Sequence, residues 1–554
     1  MINPYHSLST NLPERLPGGR DALPTDAKRL QAWVDALPRA NQQAYLGELG
    51  AALDRFHARQ LDGFTRLEVM EVLRPPLLEA VNLLASRLQG SSFPLVGSKA
   101  ETAAQLLQLH RQLALGYRMA LVEACAPAGK VPFLRGGQVA TAVVRAAYHH
   151  VRWLATSYFL YRAPDLDVWA QIYALAAFAS SRGLENKAVE DAAERRAMTV
   201  ALLQNQAVLM ALANPYRFSQ RELVELWSLC RDVAGLVEMT PQRFAAAGAL
   251  VMVDMDLAPT FVSRAPDPDE GDVLWIDLRK LDTLIRGTLS HSGEAGEAVL
   301  RLARDYRLTV SVSMLERVLE GWSQDITRAS PRLDGGYAMH TIVGLSGLHY
   351  QLAGQQDFDT FMREVRGVSA ISLDRAAWAQ SSADAAHASI ATARIQDQSL
   401  GGYRLRWDAA QGVRARIGEL VGLGLPAEGG PYDWMVGMVR WLRYDDGGME
   451  AGIDLISRSA HAVGLRVLDA GGSTEAPIRA IGLEPLSGAE GDSGRFLMSA
   501  VHDLSAPQVE VARGNDRWGG VPVQGQSASN VYTCGPLRAL RRSGDYLLVE
   551  ADRV

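Results

Sequence analysis

The spacing of the apolar residues changes near residue 244, and this change limits the folds open to the chain. From about Thr25 to Gln242 apolar residues recur every three or four positions, which is the period of an amphipathic helix. Sequences of the form S-x-x-E, typical of helix starts, occur at Ser98 and Ser219. We therefore predict an all-α N-terminal domain, residues 1–243, built of helix hairpins loosely similar to tetratricopeptide units but without a regular repeat.

Beyond residue 244, apolar segments of strand length alternate with helical ones. Residues 244–326 are predicted to form an α+β connector, in which 293–305 and 308–321 are predicted as helices. From residue 337 onward, short apolar segments separated by glycines indicate closely spaced antiparallel strands, the first of them at 337–348. Strands of this kind favour a small closed barrel.

The barrel is predicted to span residues 327–462, with an insertion of mainly helical character at about 353–384. Residues 463–554 contain further strand-like segments and are predicted as a β-rich C-terminal extension. The expected fold class is therefore α+β multidomain, with a helical half, a connector, an antiparallel β-barrel and a β-rich tail. The length of 554 residues agrees, because it is too great for one ordinary hydrophobic core.

Composition and charge exclude several classes of protein. The formal net charge of −6 gives no general attraction for nucleic acid, so we expect no nucleic-acid partner. The longest apolar runs fall below the roughly 20 residues of a membrane span, and the polar first residues do not resemble a secretion signal. Cys125, Cys230 and Cys534 have the spacing of neither a disulfide framework nor a zinc site. We expect a cytoplasmic protein without an integral membrane segment and without a metal.

A segment suited to ligand binding runs from Asp397 to Gly402 and contains the pattern D-x-S-x-x-G. Asp397 and Ser399 are two positions apart, so on an extended strand their side chains point the same way and can meet one polar ligand edge. We expect Gly401 and Gly402 to allow a turn into the next strand by adopting positive φ. The N1–H and N2–H donors of a guanine base would suit the carboxylate.

An R-x-x-x-R pair, Arg328 and Arg332, precedes the first predicted barrel strand. The chain contains five such pairs, so this one gains its meaning from position: Pro331 and the glycines that follow place it in a loop. Guanidinium groups bind phosphate in a bidentate manner and stack on purine planes. Two of them on one loop could clamp an anionic nucleotide.

An R-x-x-x-R loop before a small barrel, followed by D-x-S-x-x-G in the next strand region, resembles the PilZ family of bacterial cyclic di-GMP receptors. The resemblance covers about residues 327–462. It implies cyclic di-GMP as the ligand and no other cofactor. It also implies that Arg328 and Arg332 contact the phosphates and guanine faces, that Asp397 and Ser399 contact a base edge, and that Gly402 shapes the turn.

The separation of the two motifs departs from the family pattern. Arg332 and Asp397 are 65 residues apart, whereas the family places its motifs a few tens of residues apart. The helical insertion would absorb the excess, since the entropy of closing a loop grows only logarithmically with its length. The same insertion could instead occlude the site.

Two functions follow from these patterns. The first is a signalling receptor whose barrel binds cyclic di-GMP and whose helical domain, residues 1–243, docks a protein partner. The alternative is a barrel that keeps the fold without binding nucleotide and serves as a docking scaffold. An enzyme is not expected, because no common catalytic or phosphate-binding motif occurs in the chain.

Simpler interpretations of the same residues remain open. Asp397 and Ser399 could cap a turn through local bonds to the backbone. Arg404 lies on the outer side of its predicted strand and is expected to be solvated rather than bound to ligand. The neighbouring His149 and His150 point about 100° apart on a helix, so they cannot chelate one metal ion in the usual helical manner.

Overall fold

The computed structural model describes residues 3–18, 23–245, 247–265, 272–292, 296–323, 331–366, 389–424, 432–468, 476–484, 493–502, 504, 506–514, 517–518, 521–522, 530–543 and 545–554. The chain falls into two compact units. The first comprises Met1–Ser91, Leu95–Pro215 and Gln220–Thr327, and the second comprises Ser92–Pro94, Tyr216–Ser219 and Arg328–Val554.

The first unit is mainly helical, as the apolar spacing predicts. Its first nine helices are α1 (Pro4–Ser9), α2 (Ala27–Asp35), α3 (Gln42–His57), α4 (Gly63–Leu88), α5 (Ser98–Ala124), α6 (Gly136–Phe159), α7 (Val168–Ser181), α8 (Val200–Leu212) and α9 (Gln220–Val233). A short hairpin, β1 (Val189–Asp191) and β2 (Arg196–Met198), lies between α7 and α8. Asp62 caps α4 by accepting hydrogen bonds from the backbone N–H groups of Phe64 and Thr65, which no helical carbonyl can reach.

A buried ion network attaches the hairpin to the helices. The carboxylate of Asp191 accepts hydrogen bonds from Arg74 at 2.6 Å and from Arg145 at 2.9 Å. Burial by itself would raise the pKa of Asp191, but the hydrogen bond and charge of Arg74, together with the charge of Arg145, hold that pKa below its ordinary value. The paired charges therefore link α4 and α6 to the end of β1.

The helical core also encloses four histidines. Loss of hydration lowers the pKa of His57 to about 4 and that of His150 to about 3. The same loss of hydration lowers the pKa of His110 and His149 well below the ordinary value. His149 also receives a hydrogen bond from Arg74 at 3.1 Å, and that positive charge disfavours protonation further. All four rings are therefore neutral in the folded chain near pH 7.

The second part of the first unit mixes strands and helices, as expected for the connector. It contains β3 (Glu238–Thr240), β4 (Ala249–Met252), β5 (Thr260–Phe261), β6 (Val273–Asp277), α10 (Arg279–Leu289), β7 (Glu297–Arg301), β8 (Arg307–Ser311) and α11 (Val312–Trp322). Four of the strands form an antiparallel sheet in the order β3-β6-β4-β5, and β7 pairs with β8.

One helix prediction in this connector is wrong, and a second helix begins later than predicted. Residues 297–301 of the predicted helix 293–305 form strand β7, in which Ala298 and Leu300 are buried while the residues between and beside them are exposed. This alternation has the period of a strand rather than that of a helix. The helix predicted at 308–321 begins only at Val312, because residues 307–311 form β8.

The second unit contains a closed antiparallel barrel. Its elements are β9 (Leu333–Asp334), β10 (Ala338–Val343), α12 (Leu345–Leu352), α13 (Phe358–Arg366), β11 (Ala391–Ser399), β12 (Gly402–Asp408), β13 (Leu420–Gly424), β14 (Trp434–Asp445) and β15 (Gly448–Ser457). Six strands pair in the order β10-β13-β14-β15-β12-β11, β10 pairs again with β11 to close the ring, and β9 adds to β11. Trp407 fills the interior and donates its indole N–H to Thr341 at 2.7 Å.

Helices interrupt the barrel where the insertion was predicted. The predicted strand 337–348 ends at Val343, because Gly344 has φ of 94° and turns the chain directly into α12. α13 follows, and the rest of the predicted insertion, from residue 367, lies outside the described residues.

A second sheet follows the barrel. Its strands are β16 (Ala460–Leu468), β17 (Ile478–Leu483), β18 (Ser493–Ser499), β19 (Gln508–Arg513), β22 (Asn530–Cys534), β23 (Arg538–Ser543) and β24 (Tyr546–Asp552), with a separate small pair, β20 (Arg517–Trp518) and β21 (Val521–Pro522). The sheet order is β22-β19-β16-β17-β18-β24-β23. Ile481 and Leu497 of this sheet share a core with Ile342, Leu420 and Val436 of the barrel. The α+β multidomain class is confirmed, while the predicted domain boundaries stay predictions.

We predict that acid destabilises the first unit through its buried histidines. Their pKa values are lowered in the folded chain, so the unfolded chain binds more protons below about pH 6.5 and the free energy of unfolding falls as the pH falls. Among the described residues, neither ring nitrogen of His110 has a hydrogen-bond partner. Replacing this ring with an apolar side chain should reduce the slope of the free energy of unfolding against pH by about 1.4 kcal/mol per pH unit.

Urea unfolding of the full chain between pH 5 and pH 7 measures this slope. The His110→Leu variant should lose part of the slope, whereas the control His291→Leu, which changes an exposed histidine, should keep it. Equal slopes for the wild type and His110→Leu would contradict the prediction.

Candidate ligand-binding site

The D-x-S-x-x-G segment lies at a hairpin on the outer wall of the barrel. Asp397 and Ser399 end β11, a tight turn follows, and Gly402 begins β12. Ile395 is buried inside the barrel, and strict alternation would also turn Asp397 inward. A bulge between Ile395 and Asp397 shifts the register by one residue. The bulge therefore directs Asp397 and Ser399 to the outer face.

Arg332 reaches the same face through the short strand β9. Asp334 pairs with Asp397 and Leu333 pairs with Gln398, so the chain just before β9 runs beside the end of β11. The Nη1 atom of Arg332 donates to the Oδ2 atom of Asp397 at 2.7 Å. The structure thus brings together Arg332, Asp397, Ser399 and Gly402; Arg328 lies outside the described residues.

The reason for glycine at position 402 differs from the one predicted. Neither Gly401 nor Gly402 has positive φ, so the expected left-handed turn is wrong. A Cβ atom on Gly402 would instead lie 2.0 Å from the carbonyl oxygen of Ile453 on β15. Glycine is needed because two strands approach closely at this point. Ser399 donates to the carbonyl oxygen of Gly402 at a long 3.5 Å, which leaves its hydroxyl weakly held.

Two rows of residues cross the outer wall at this hairpin, and we call them the outer rows. The first row contains Ser399, Gly402 and Asp454, which oppose one another on β11, β12 and β15. The second row contains Asp397, Arg404, Gly452 and Trp441, on β11, β12, β15 and β14. A Cβ atom on Gly452 would lie 1.9 Å from the indole nitrogen of Trp441, so the glycine makes room for the ring. The outer rows therefore combine a hydroxyl, two carboxylates, an arginine and an aromatic face.

Arginines surround the carboxylates of the outer rows. Arg404 donates to Glu450 at 2.5 Å and lies 3.7 Å from Asp397. Arg443 donates to the other oxygen of Glu450 at 3.0 Å, and Arg541 of β23 lies 3.1 Å from Asp454. Arg332 and Arg404 are each about 40% exposed, so an incoming anion can reach their guanidinium groups. The arrangement can exchange carboxylate partners for phosphate.

Sequence reasoning missed part of this arrangement. Arg404 is predicted to be solvated rather than bound to ligand; it is about 40% exposed, and its contacts with Asp397 and Glu450 are not predicted. Trp441 and Arg541 were not singled out at all. Strand alternation could place Arg404 on the outer wall, but only the pairing of β12 with β15 and of β23 with β24 reveals which residues lie beside it.

Within the described ranges, no group of three or more His, Cys, Asp or Glu side chains is placed to hold a metal ion. No helix in those ranges has the length and apolar character required to cross a membrane.

Two family models match the chain. The family model for the N-terminal domain of the cyclic-di-GMP receptor FimW matches residues 28–242. The model for the middle PilZ domain of the same receptor matches residues 249–388 and 368–462. The PilZ match thus begins within the predicted connector rather than at residue 327.

A relative that matches most of the chain carries the same receptor name. The cyclic-di-GMP receptor FimW of Pseudomonas aeruginosa is 25% identical to this chain over 497 residues, which covers 81% of the chain and 79% of the relative. No solved structure matches the chain. The resemblance inferred from the two motifs is confirmed: the region that contains both motifs, within residues 249–462, belongs to the PilZ-domain family.

Proposed function

We propose that this chain is a cyclic di-GMP-binding signalling receptor that couples nucleotide binding at the barrel to a protein partner held by the helical region. The observation that carries the proposal is the contact between Arg332 and Asp397, which joins the two ligand motifs across 65 residues of sequence. The relative named above is itself called a cyclic-di-GMP receptor, which supports the same ligand.

Binding proceeds as an exchange of partners. Without ligand, the Arg332 guanidinium lies against the Asp397 carboxylate. A phosphate of the ligand takes over the guanidinium, and the freed carboxylate accepts the N1–H and N2–H donors of a guanine. An exposed ion pair contributes only about 0–1 kcal/mol, so breaking it costs little compared with the new charge-assisted bonds. The ion pair holds both groups in place before the ligand arrives.

Arg328, Ser399 and Gly402 complete the proposed site. Arg328 precedes Arg332 by one R-x-x-x-R spacing and is proposed as the second arginine for phosphates and guanine faces. The hydroxyl of Ser399 is proposed to contact the base edge beside Asp397. Gly402 keeps the strands close together, so that no side chain stands on β12 between Ser399 and Asp454.

The proposal includes a receptor without catalytic activity, located in the cytoplasm. Cys125, Cys230 and Cys534 are buried free thiols, which suits a reducing compartment. The scaffold alternative differs in one respect only: there the arginines of the outer rows stay on their carboxylates and no nucleotide binds.

We predict that Arg332→Ala and Asp397→Ala each weaken cyclic di-GMP binding at least about tenfold, because a charge-assisted hydrogen bond contributes about 1.5–3 kcal/mol. Isothermal titration calorimetry of the full chain measures the affinity. The control Arg495→Ala removes an exposed arginine that pairs with Glu550 on the C-terminal sheet and should bind like the wild type. Absence of heat with the wild type would favour the scaffold, and equal affinity of all variants would remove Arg332 and Asp397 from the site.

The surface proposed for the protein partner is the loop between α5 and α6. Phe133 and Leu134 are 89% and 87% exposed, although both are large apolar residues. Leu134 has φ of 59°, a strained conformation for a bulky residue that is found mostly where function requires it. Lys130 and Arg135 flank the pair, and no acidic residue occurs between Glu123 and Asp165. We propose that this loop inserts into an apolar groove of a partner with an acidic rim.

We predict that Phe133→Ser combined with Leu134→Ser abolishes partner capture and leaves cyclic di-GMP binding unchanged. Pull-down with quantitative mass spectrometry compares the double variant with the wild type, and calorimetry checks the ligand. Leu166→Ser, which changes a side chain that is also 87% exposed but lies before α7, is the control. Recovery of the same proteins by all three chains would contradict the docking surface.

A further inference from the structure

We propose that Arg541, a residue of the C-terminal sheet, is part of the cyclic di-GMP site and binds a phosphate of the ligand; this inference rests on the proposed function. Arg541 lies on β23, and its Nη1 atom is 3.1 Å from the Oδ2 atom of Asp454. Asp454 belongs to the first outer row, directly opposite Gly402. The C-terminal sheet therefore places the positively charged guanidinium of Arg541 at the edge of the site.

Gly402 lies on the strand between Asp454, the partner of Arg541, and the D-x-S-x-x-G residue Ser399. Asp454, Gly402 and Ser399 oppose one another on three neighbouring strands. Adjacent strands lie about 4.8 Å apart, so Ser399 and Asp454 are separated by about 10 Å. Gly402 contributes no side chain to this interval, and a cyclic dinucleotide is large enough to cover it. One ligand can thus contact both Ser399 and the Arg541 guanidinium.

Arginine–carboxylate pairs flank Gly402 on both sides. Arg332 meets Asp397 on the β11 side, and Arg541 meets Asp454 on the β15 side. A ligand with two phosphates matches two such arginines, one on each side of the strand. The side chain of Arg541 is 50% exposed, and an exposed pair contributes too little to stability to fix it on Asp454. Its guanidinium is available to exchange carboxylate for phosphate.

A backbone irregularity redirects Arg541 toward the barrel. The pairing of β23 with β24 shifts register between Ala539 and Arg541. Bulges of this kind re-aim the side chains that follow them. The barrel strand β11 has a similar bulge just before Asp397. Both strands that bring charged groups to Gly402 are thus bulged at the point where the side chain must turn.

The assignment of Arg541 has a consequence for signalling. The family models match the chain only as far as residue 462, so β23 lies beyond the matched region. A ligand with one phosphate held by Arg332 and the other by Arg541 would join the barrel to the C-terminal sheet. Ligand binding would then stabilise β23 against local unfolding, since a ligand stabilises the state to which it binds.

The same strand offers a matched control. Arg538 also lies on β23, is 55% exposed, and pairs with Asp552 at 2.9 Å. Its partners are on β24 of the C-terminal sheet rather than on the outer rows. Arg538→Ala therefore removes the same charge and a comparable surface pair from the same strand, without touching the site.

The experiment is calorimetric titration of the full chain with cyclic di-GMP. Arg541→Ala should weaken binding about tenfold, as expected for loss of one charge-assisted contact. Arg541→Lys should recover part of the loss, because lysine keeps the charge but lacks the planar fork. Arg538→Ala should match the wild type. Asp454→Asn should bind at least as tightly as the wild type, because it removes the carboxylate that competes with phosphate for Arg541.

The outcomes separate the inference from the function on which it rests. If the wild type binds no cyclic di-GMP, the proposed function fails and the inference fails with it. If the wild type binds and Arg541→Ala binds equally well, the inference alone is overturned. Equal weakening by Arg541→Ala and Asp454→Asn would mean that the pair is merely structural, and it would overturn the inference as well. Urea unfolding confirms that each variant is folded.

Discussion

The contact between Arg332 and Asp397 is the interaction on which the account of this protein depends. It joins two segments that are 65 residues apart, and three features of the backbone make it possible. The pairing of β10 with β11 closes the barrel. The pairing of β9 with β11 places Arg332 beside the end of β11. The bulge after Ile395 turns Asp397 to the outer face. Each of these is a property of strand pairing, so the site forms only when the barrel closes.

The barrel does not stand alone in its unit. Its wall shares an apolar core with the C-terminal sheet, in which Ile481 and Leu497 belong to the same buried cluster as Ile342 and Val436. Burial of this common core fixes the sheet against the barrel, because apolar area is removed from water on both sides at once. Arg541 can then approach Asp454 from a strand that lies almost 90 residues further along the chain.

Much of this arrangement follows from local sequence patterns, and the remainder depends on contacts between distant residues. The apolar period near Leu30 and Leu46 predicts helices, and the two motifs predict a clamp on a barrel, because both signals are local. The helix predicted at 293–305 is wrong because a five-residue alternation in β7 is too short to stand out against the helical segments around it. Position 402 requires glycine because Ile453 approaches it, and no local pattern reveals a neighbour on another strand.

The placement of Arg404 and Arg541 shows the same limit. Alternation along β12 puts Arg404 outside, but its partners Asp397 and Glu450 come from strands whose register is fixed only by barrel closure. Bulges decide the direction of Asp397 and of Arg541, and a bulge inserts one residue without a strong local signature.

The most direct test of the central claim is an experimental structure of the full chain with cyclic di-GMP bound. In that complex we expect the Arg332 guanidinium to have left Asp397 and to lie within hydrogen-bond distance of a phosphate, with a guanine N–H edge facing the Asp397 carboxylate. A complex in which Arg332 stays on Asp397 while the nucleotide occupies another surface would contradict it.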